Sequence, residues 1–254
     1  MFSAFVFLAV GVLCSAASNS TTPPPPPKHC ESPNQWEGTA WFFQADAGVT
    51  KLIRMSYDNV NKRLRSVGRT LTGPFAGFSL EMILLYKESR FYFLIGDAKL
   101  CIESNELDEW VPAGVPSDAT YRYHVVRGLG KNSVTTNTWA KSYQVGIDQN
   151  AKKVPWSHDN HHHHGHTHTW FASFTDDLCV PVLETIYEGN LLDKEDIYYR
   201  TEILDEIRYS GVSAGIKDPS VFDPPSYCNS GGSKNATLLA MLGDKLQWHR
   251  YMFV

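Results

Sequence analysis

The sequence is densest in potential chemistry at residues 158–168, where His158, His161, His162, His163, His164, His166 and His168 crowd together. Neutral imidazole is a strong ligand for zinc, copper and nickel. Contiguous histidines reach one ion from several registers, which gives affinity without a fixed geometry. A catalytic metal needs a rigid, open coordination sphere whose ligands are themselves held in place. The spaced helical histidines of a metal hydrolase are missing. The tract therefore reads as a solvated His-rich loop with affinity for Zn²⁺, Cu²⁺ or Ni²⁺.

A second concentration is acidic: Asp193, Glu195, Asp196, Glu202, Asp205 and Glu206. Hard oxygen ligands suit calcium, but the twelve-residue helix–loop–helix spacing is missing, so the solvent face of a strand pair is the simpler reading. No nucleophile elbow, phosphate loop or dinucleotide fingerprint occurs. The chain reads as a non-enzyme that requires no cofactor. A formal net charge of −4 without a basic stretch argues against nucleic acid.

The cysteines and the N-terminus point to export. Residues 1–17 carry a short apolar run and small residues before a cleavage point after Ala17, as in a signal peptide. Cys14 leaves with that segment. Cys30, Cys101, Cys179 and Cys228 remain, an even set that reads as two disulfides with three pairings open. Asn19 and Asn235 head glycosylation triplets. No other apolar stretch approaches the length of a membrane span. Residues 18–29 form a proline-rich disordered leader, and one domain is expected over 30–254.

Within that domain the dominant hydrophobic period is two. Phe78, Leu80, Met82 and Leu84 share a face with Phe91, Phe93 and Ile95 if a two-residue turn at Glu88-Ser89 joins the runs, with Leu84 opposite Phe93. An earlier hairpin puts Ile53, Met55 and Tyr57 on one side and turns over 58–61. Further strands are expected at 36–44, 121–126, 133–139, 170–174, 181–187 and 197–209. A helix is expected over 233–249. Charged residues make up 20% and hydrophobic residues 43%, enough for a sizeable core. A mainly β fold with a curved or closed antiparallel sheet follows.

Several segments are similar to one family in order and approximate spacing. CESPNQWEG begins at Cys30, SYDNVNKRLR spans 56–65, ILLYK spans 83–87, CVPV begins at Cys179, and GIKDPSVFDPPSYC ends at Cys228. These resemble the ependymins and ependymin-related proteins, the last segment being closest to the mammalian branch. The relatives carry two further cysteines, which pair with each other and are both absent here. The histidine tract has no counterpart in them. The resemblance implies pairs Cys30–Cys179 and Cys101–Cys228. It also implies a strongly curved half-barrel sheet, similar to bacterial lipoprotein carriers, around an apolar cavity closed by helices. It further implies a secreted or lysosomal glycoprotein, often dimeric, that is not an enzyme. Three roles follow. One is a carrier of amphipathic lipid-like ligands on the face of Phe78, Leu80, Met82, Leu84, Phe91, Phe93 and Ile95. Another is a calcium-dependent matrix or adhesion protein. A third is a metal-binding protein acting through the histidine tract.

Overall fold

The computed structural model describes residues 25–228 apart from 46, 74–75, 106, 108, 146–165 and 189–202. The strands are β1 (Gln35–Gln44), β2 (Val49–Asp58), β3 (Arg63–Thr70), β4 (Ser79–Leu85), β5 (Arg90–Ile95), β6 (Leu100–Ser104), β7 (Thr120–Arg127), β8 (Val134–Val145), β9 (His166–Thr175), β10 (Pro181–Glu188) and β11 (Ile203–Ala214). They form one 11-stranded sheet in the order β6-β5-β4-β3-β2-β1-β11-β10-β9-β8-β7. Each neighbouring pair is antiparallel. The signal segment, Asn19, the first two prolines of the run, His158 to His164, the expected helix over 233–249 and Asn235 lie outside the described residues.

The connectivity requires the sheet to curve. Strands β6 and β7 are consecutive in the chain yet occupy opposite edges. Laid flat, those edges would stand about 48 Å apart at the usual strand spacing. Residues 105–119 reach only about 50 Å when fully drawn out. They are not drawn out: Ala119 N donates back to Pro116 O at 3.0 Å. The sheet therefore bends until its edges are within reach of this strap.

Local devices permit the bend. The β1–β11 register shifts between Glu37 and Thr39, opposite Gly211, whose φ of 59° only glycine adopts without strain. On β3, a side chain at Gly68 would overlap the Leu52 carbonyl oxygen, so only glycine allows β2 and β3 to approach this closely.

The β4–β5 hairpin corrects the expected register. Leu84 faces Phe91 and Met82 faces Phe93, two residues away from the pairing expected with a Glu88-Ser89 turn. A two-residue turn of the favoured kind needs two positive φ angles, and Glu and Ser have no special tolerance for them. Instead Tyr86–Glu88 form a 3-10 turn, and Ser89 alone turns left-handed with φ 51°. A slip of two residues preserves parity, so each side chain stays on its expected face. The β2–β3 turn ends likewise on Lys62, with φ 51°.

The inner face holds two apolar clusters. One is built on β1–β6 and β11 around Trp36, Met55, Tyr57, Met82 and Phe93. The other is built on β8–β10 around Trp139, Trp170, Phe174 and Ile186. Outside, Ile83, Tyr92 and Leu94 are covered by Phe222 and Cys228 of the segment that follows β11. Both implied disulfides are present. Cys30–Cys179 ties the N-terminal entry to the second cluster, and Cys101–Cys228 pins the C-terminal segment outside β6.

Candidate ligand-binding face

Antiparallel pairing stacks the inner face of β2–β6 into rows. One row runs Ile53, Gly68, Leu80, Ile95, Leu100, and the next runs Met55, Ser66, Met82, Phe93, Ile102. A third runs Tyr57, Leu64, Leu84, Phe91, Ser104. Six of the seven expected pocket residues thus share one continuous apolar face. Phe78 precedes β4 and is 43% exposed. Met82, Leu84, Phe91, Phe93 and Ile95 are buried, and Leu80 is partly so.

The cover over this face is the strap. Its Leu107, Trp110 and Ala113 pack on the first cluster, and its Val115 and Ala119 pack on the second. Trp110 stacks on Tyr57 with ring centroids 5.5 Å apart, and its Nε1 donates to Asn59 Oδ1 at 2.7 Å. Ala113 N donates to the Tyr57 hydroxyl at 2.8 Å. Glu31 and Gly114 make a single bridge between the strap and the N-terminal entry. His29, within the expected leader, donates from Nε2 to Ala119 O at 2.8 Å and lies 4.6 Å from the Trp139 ring. The strap had no signature in the sequence, because Pro, Gly and scattered apolar residues between strands read as an ordinary loop.

A row of different character lies beyond Ile53. Successive partners from β8 to β3 are Trp139, Ala172, Glu184, Ile207, Phe42, Lys51 and Thr70. Glu184 is buried between the clusters. Tyr209 Oη donates to its Oε1 at 2.8 Å, and Trp170 Nε1 to its Oε2 at 3.3 Å. Burial pushes its carboxyl up to about 7, against the pull of those two donors. Burial and the adjacent carboxylate likewise raise Tyr209 well above the usual phenol range. Lys51 is buried with its ammonium 5.4 Å over the Phe42 ring. Desolvation lowers it to about 8, and Asp205 opposes that shift.

The acidic cluster divides. Asp205 is 5% exposed on the inner face, whereas Glu206 points outward and pairs with Arg208. Neighbours in a strand take opposite faces, so the expected solvent face does not hold for Asp205. Asp193, Glu195, Asp196 and Glu202 lie outside the described residues.

The end of the histidine tract is strand and not loop. β9 starts at His166, and His168 is 9% exposed with its ring 5.8 Å from Tyr143. The alternation His166, His168, Trp170, Ala172, Phe174 was legible, but the histidine composition masked it. Among the described residues no group of three His, Cys, Asp or Glu side chains is placed to hold a metal. Outside the sheet, Trp41, Phe43, Thr50, Glu206 and Arg208 line a groove of about 290 Å³ that the hydrophobic pattern did not reveal.

Comparison with known proteins adds to this geometry. The chain is 28% identical over 206 residues to mammalian ependymin-related protein 1 of Rattus norvegicus, covering 79% of this chain and 76% of the relative. It is 27% identical to the Mus musculus protein over the same length. Among solved structures it resembles an uncharacterized conserved protein of Thermus thermophilus, with TM-score 0.42, 9% identity, and 76% and 86% of the two chains covered. It also resembles a LolA superfamily protein of Nitrosomonas europaea, with TM-score 0.26, 11% identity, and 76% and 91% covered. Those scores are too low to bear on the fold, which rests on the sheet described above. The Ependymin sequence profile matches residues 76–228, from just before β4 to the second disulfide. This chain belongs to the ependymin family.

Proposed function

We propose that this protein is a secreted, non-catalytic glycoprotein that carries amphipathic, lipid-like molecules against the inner face of its sheet. The observation that carries the proposal is the set of apolar rows across β2–β6, covered among the described residues by a strap and not by a second sheet. The strap rests on that face through the stack of Trp110 on Tyr57 and through hydrogen bonds from Trp110 to Asn59 and from Ala113 N to the Tyr57 hydroxyl. A ligand reaches the rows by displacing it, and the acyl part gains about 0.8 kcal/mol per methylene removed from water. Family membership supports the same role through the carrier expectation set out above.

Export is supported by the signal-like residues 1–17, the glycosylation triplets at Asn19 and Asn235, and two long-range disulfides, which persist in oxidising compartments. Among the described residues no helix is long and apolar enough to cross a membrane.

The test is organic extraction of protein purified natively from its own source, followed by mass spectrometry. The proposal expects a near-stoichiometric amphiphile. Protein that is folded yet free of lipid, and that binds matrix components only with calcium present, would favour the adhesion role.

A further inference from the structure

We propose that the rim of the sheet formed by the β7–β8 and β9–β10 turns docks on the surface of an anionic lipid bilayer, with Leu129 inserted and Arg127 and Lys131 on the headgroups. This rests on the carrier reading and names the surface from which the carrier takes its ligand.

The register gathers these turns. Arg127 pairs with Val134, Thr136 with Thr175 and Phe174 with Pro181, so residues 128–133 and 176–180 leave the same end of the sheet. The antiparallel pairs through β11 and β1 bring the β2–β3 turn to that end as well. Among the described residues the most exposed large apolar side chains are Leu129 at 89%, Leu178 at 62%, and Val60 and Val126 at 58% each. All four lie in these turns or at the strand end leading into one. Single exposed apolar residues are ordinary, but the four most exposed gathered at one rim mark an interaction surface. The β7–β8 turn is braced to hold Leu129 outward. Gly128 and Gly130 flank it with φ of 93° and 55°, and Gly130–Asn132 form a 3-10 turn. Ser133 Oγ donates to Gly130 O at 2.8 Å, and Asn132 N donates to Leu129 O at 3.2 Å.

Charge selects the partner. Residues 120–134 carry Arg122, Arg127 and Lys131 and no Asp or Glu. A protruding leucine flanked by cations matches the apolar interior and negative surface of an anionic bilayer. Protein interfaces centre on close-packed aromatic anchors, whereas the tips of this rim offer separate aliphatic points. Acids lie on the adjoining turn: Asp176 accepts from Asn137 Nδ2 at 2.7 Å, and Asp177 from Leu178 N at 2.8 Å. They oppose close approach of that turn, so the β7–β8 tip is the deeper point. Farther round the rim, exposed Lys62, Lys87 and Glu88 mix both signs. The same rim anchors the strap, since Trp110 donates to Asn59 in the β2–β3 turn and stacks on Tyr57. A bilayer brought against this end lies beside the contact that must break for a ligand to reach the apolar rows.

The experiment sediments the disulfide-intact full chain with vesicles of phosphatidylcholine alone and of an equal mixture of phosphatidylcholine and phosphatidylserine. A separate titration uses dodecanoate below its micelle threshold. The wild type should bind the mixed vesicles about tenfold or more tighter than the neutral ones, and high salt should erase the difference. Leu129→Ser should weaken binding to the mixed vesicles about tenfold. The double variant Arg127→Gln/Lys131→Gln should remove most of the preference, about fivefold per charge. The substituted side chains are exposed, so both variants should melt with the wild type and bind dodecanoate with unchanged affinity. Equal binding of the wild type to both vesicles, or binding that neither variant weakens, overturns the docking rim and leaves the carrier reading intact. Loss of self-association in Leu129→Ser with vesicle binding unchanged assigns the tip to a second copy of the chain and equally overturns the rim. Vesicle binding that needs Leu129, in a protein with no saturable binding of dodecanoate, sustains the rim and counts against the carrier reading alone.

Discussion

The Tyr209 hydroxyl donates to the Glu184 carboxylate at 2.8 Å, and this contact couples the two halves of the inner face. Tyr209 belongs to the β1–β6 cluster, while Trp170, the second donor to Glu184, belongs to the β8–β10 cluster. One buried carboxyl thus joins the two apolar cores.

This arrangement makes stability depend on pH. The Glu184 carboxyl is raised to about 7 in the folded chain from an ordinary 4.5. The folded state binds its proton more tightly, so the stabilisation is complete below 4.5 and is lost as pH rises through 7. The facing groups do not reverse this. Tyr209 stays neutral, and Asp205 on the same inner face is an acid whose charge would favour a protonated Glu184. Lys51 acts at higher pH with the opposite sign, since a lowered pKa makes stability rise between about 8 and 10.5. Thermal unfolding should therefore show the melting temperature falling from pH 5 to pH 7.5, with a loss of about 3 kcal/mol at most. Glu184→Gln, which removes the titration and whose one amide oxygen keeps an acceptor for only one of the two donors, should flatten that slope. A melting temperature that rises steadily over this range would contradict the assignment.

Asp58 closes the β2–β3 hairpin. Its carboxylate accepts from Gln35 Nε2 at 3.0 Å, Asn61 N at 3.1 Å, Asn61 Nδ2 at 2.8 Å and Arg63 Nε at 2.8 Å. These donors outweigh burial and hold it at about 2. Asp58→Ala leaves several donors without an acceptor and should cost about 3 kcal/mol in urea unfolding. Asp58→Asn, which can retain some of the bonds, should cost less.

Legibility followed physical range. The β2–β3 hairpin and the faces of β4 and β5 were readable, because period-two alternation survives even a two-residue error in register. β6 was missed: Leu100–Ser104 is five residues long, too short for its alternation to stand out. Glu184 and Lys51 look like ordinary polar positions in half-buried strands. Their burial comes from β11 and β9 folding around β10, and from β1 and β3 flanking β2, contacts that no local pattern records. The disulfide pairing came from family resemblance. Spacing leaves all three pairings open.

The Cys101–Cys228 disulfide should hold the outer layer. Replacing both cysteines with serine should free the segment of Phe222 and Tyr227 from Ile83, Tyr92 and Leu94. The expected loss is about 2–5 kcal/mol, together with increased binding of a hydrophobic dye. A variant that melts within a degree of the wild type would show that the sheet does not need this cover.

The histidine tract and His168 should separate experimentally. Deleting residues 158–164 should abolish Ni²⁺ binding, which in the intact chain weakens as pH falls through about 6.5, and should leave the melting temperature nearly unchanged. His168→Ala should lower the melting temperature, because it removes a buried ring packed against Tyr143. Loss of folding on deletion of 158–164 would reveal a structural metal site.

The carrier role is tested most directly by calorimetric titration of the delipidated full chain with single-chain amphiphiles of one headgroup and graded tail length. Substitution of Met82 or Phe93 with a charged residue is not a substitute, because both are buried and such changes would report on folding. Affinity should rise about three- to fourfold per added methylene, the equivalent of about 0.8 kcal/mol, and level off once the apolar rows are filled. A folded protein that shows no saturable binding at any length would contradict the account.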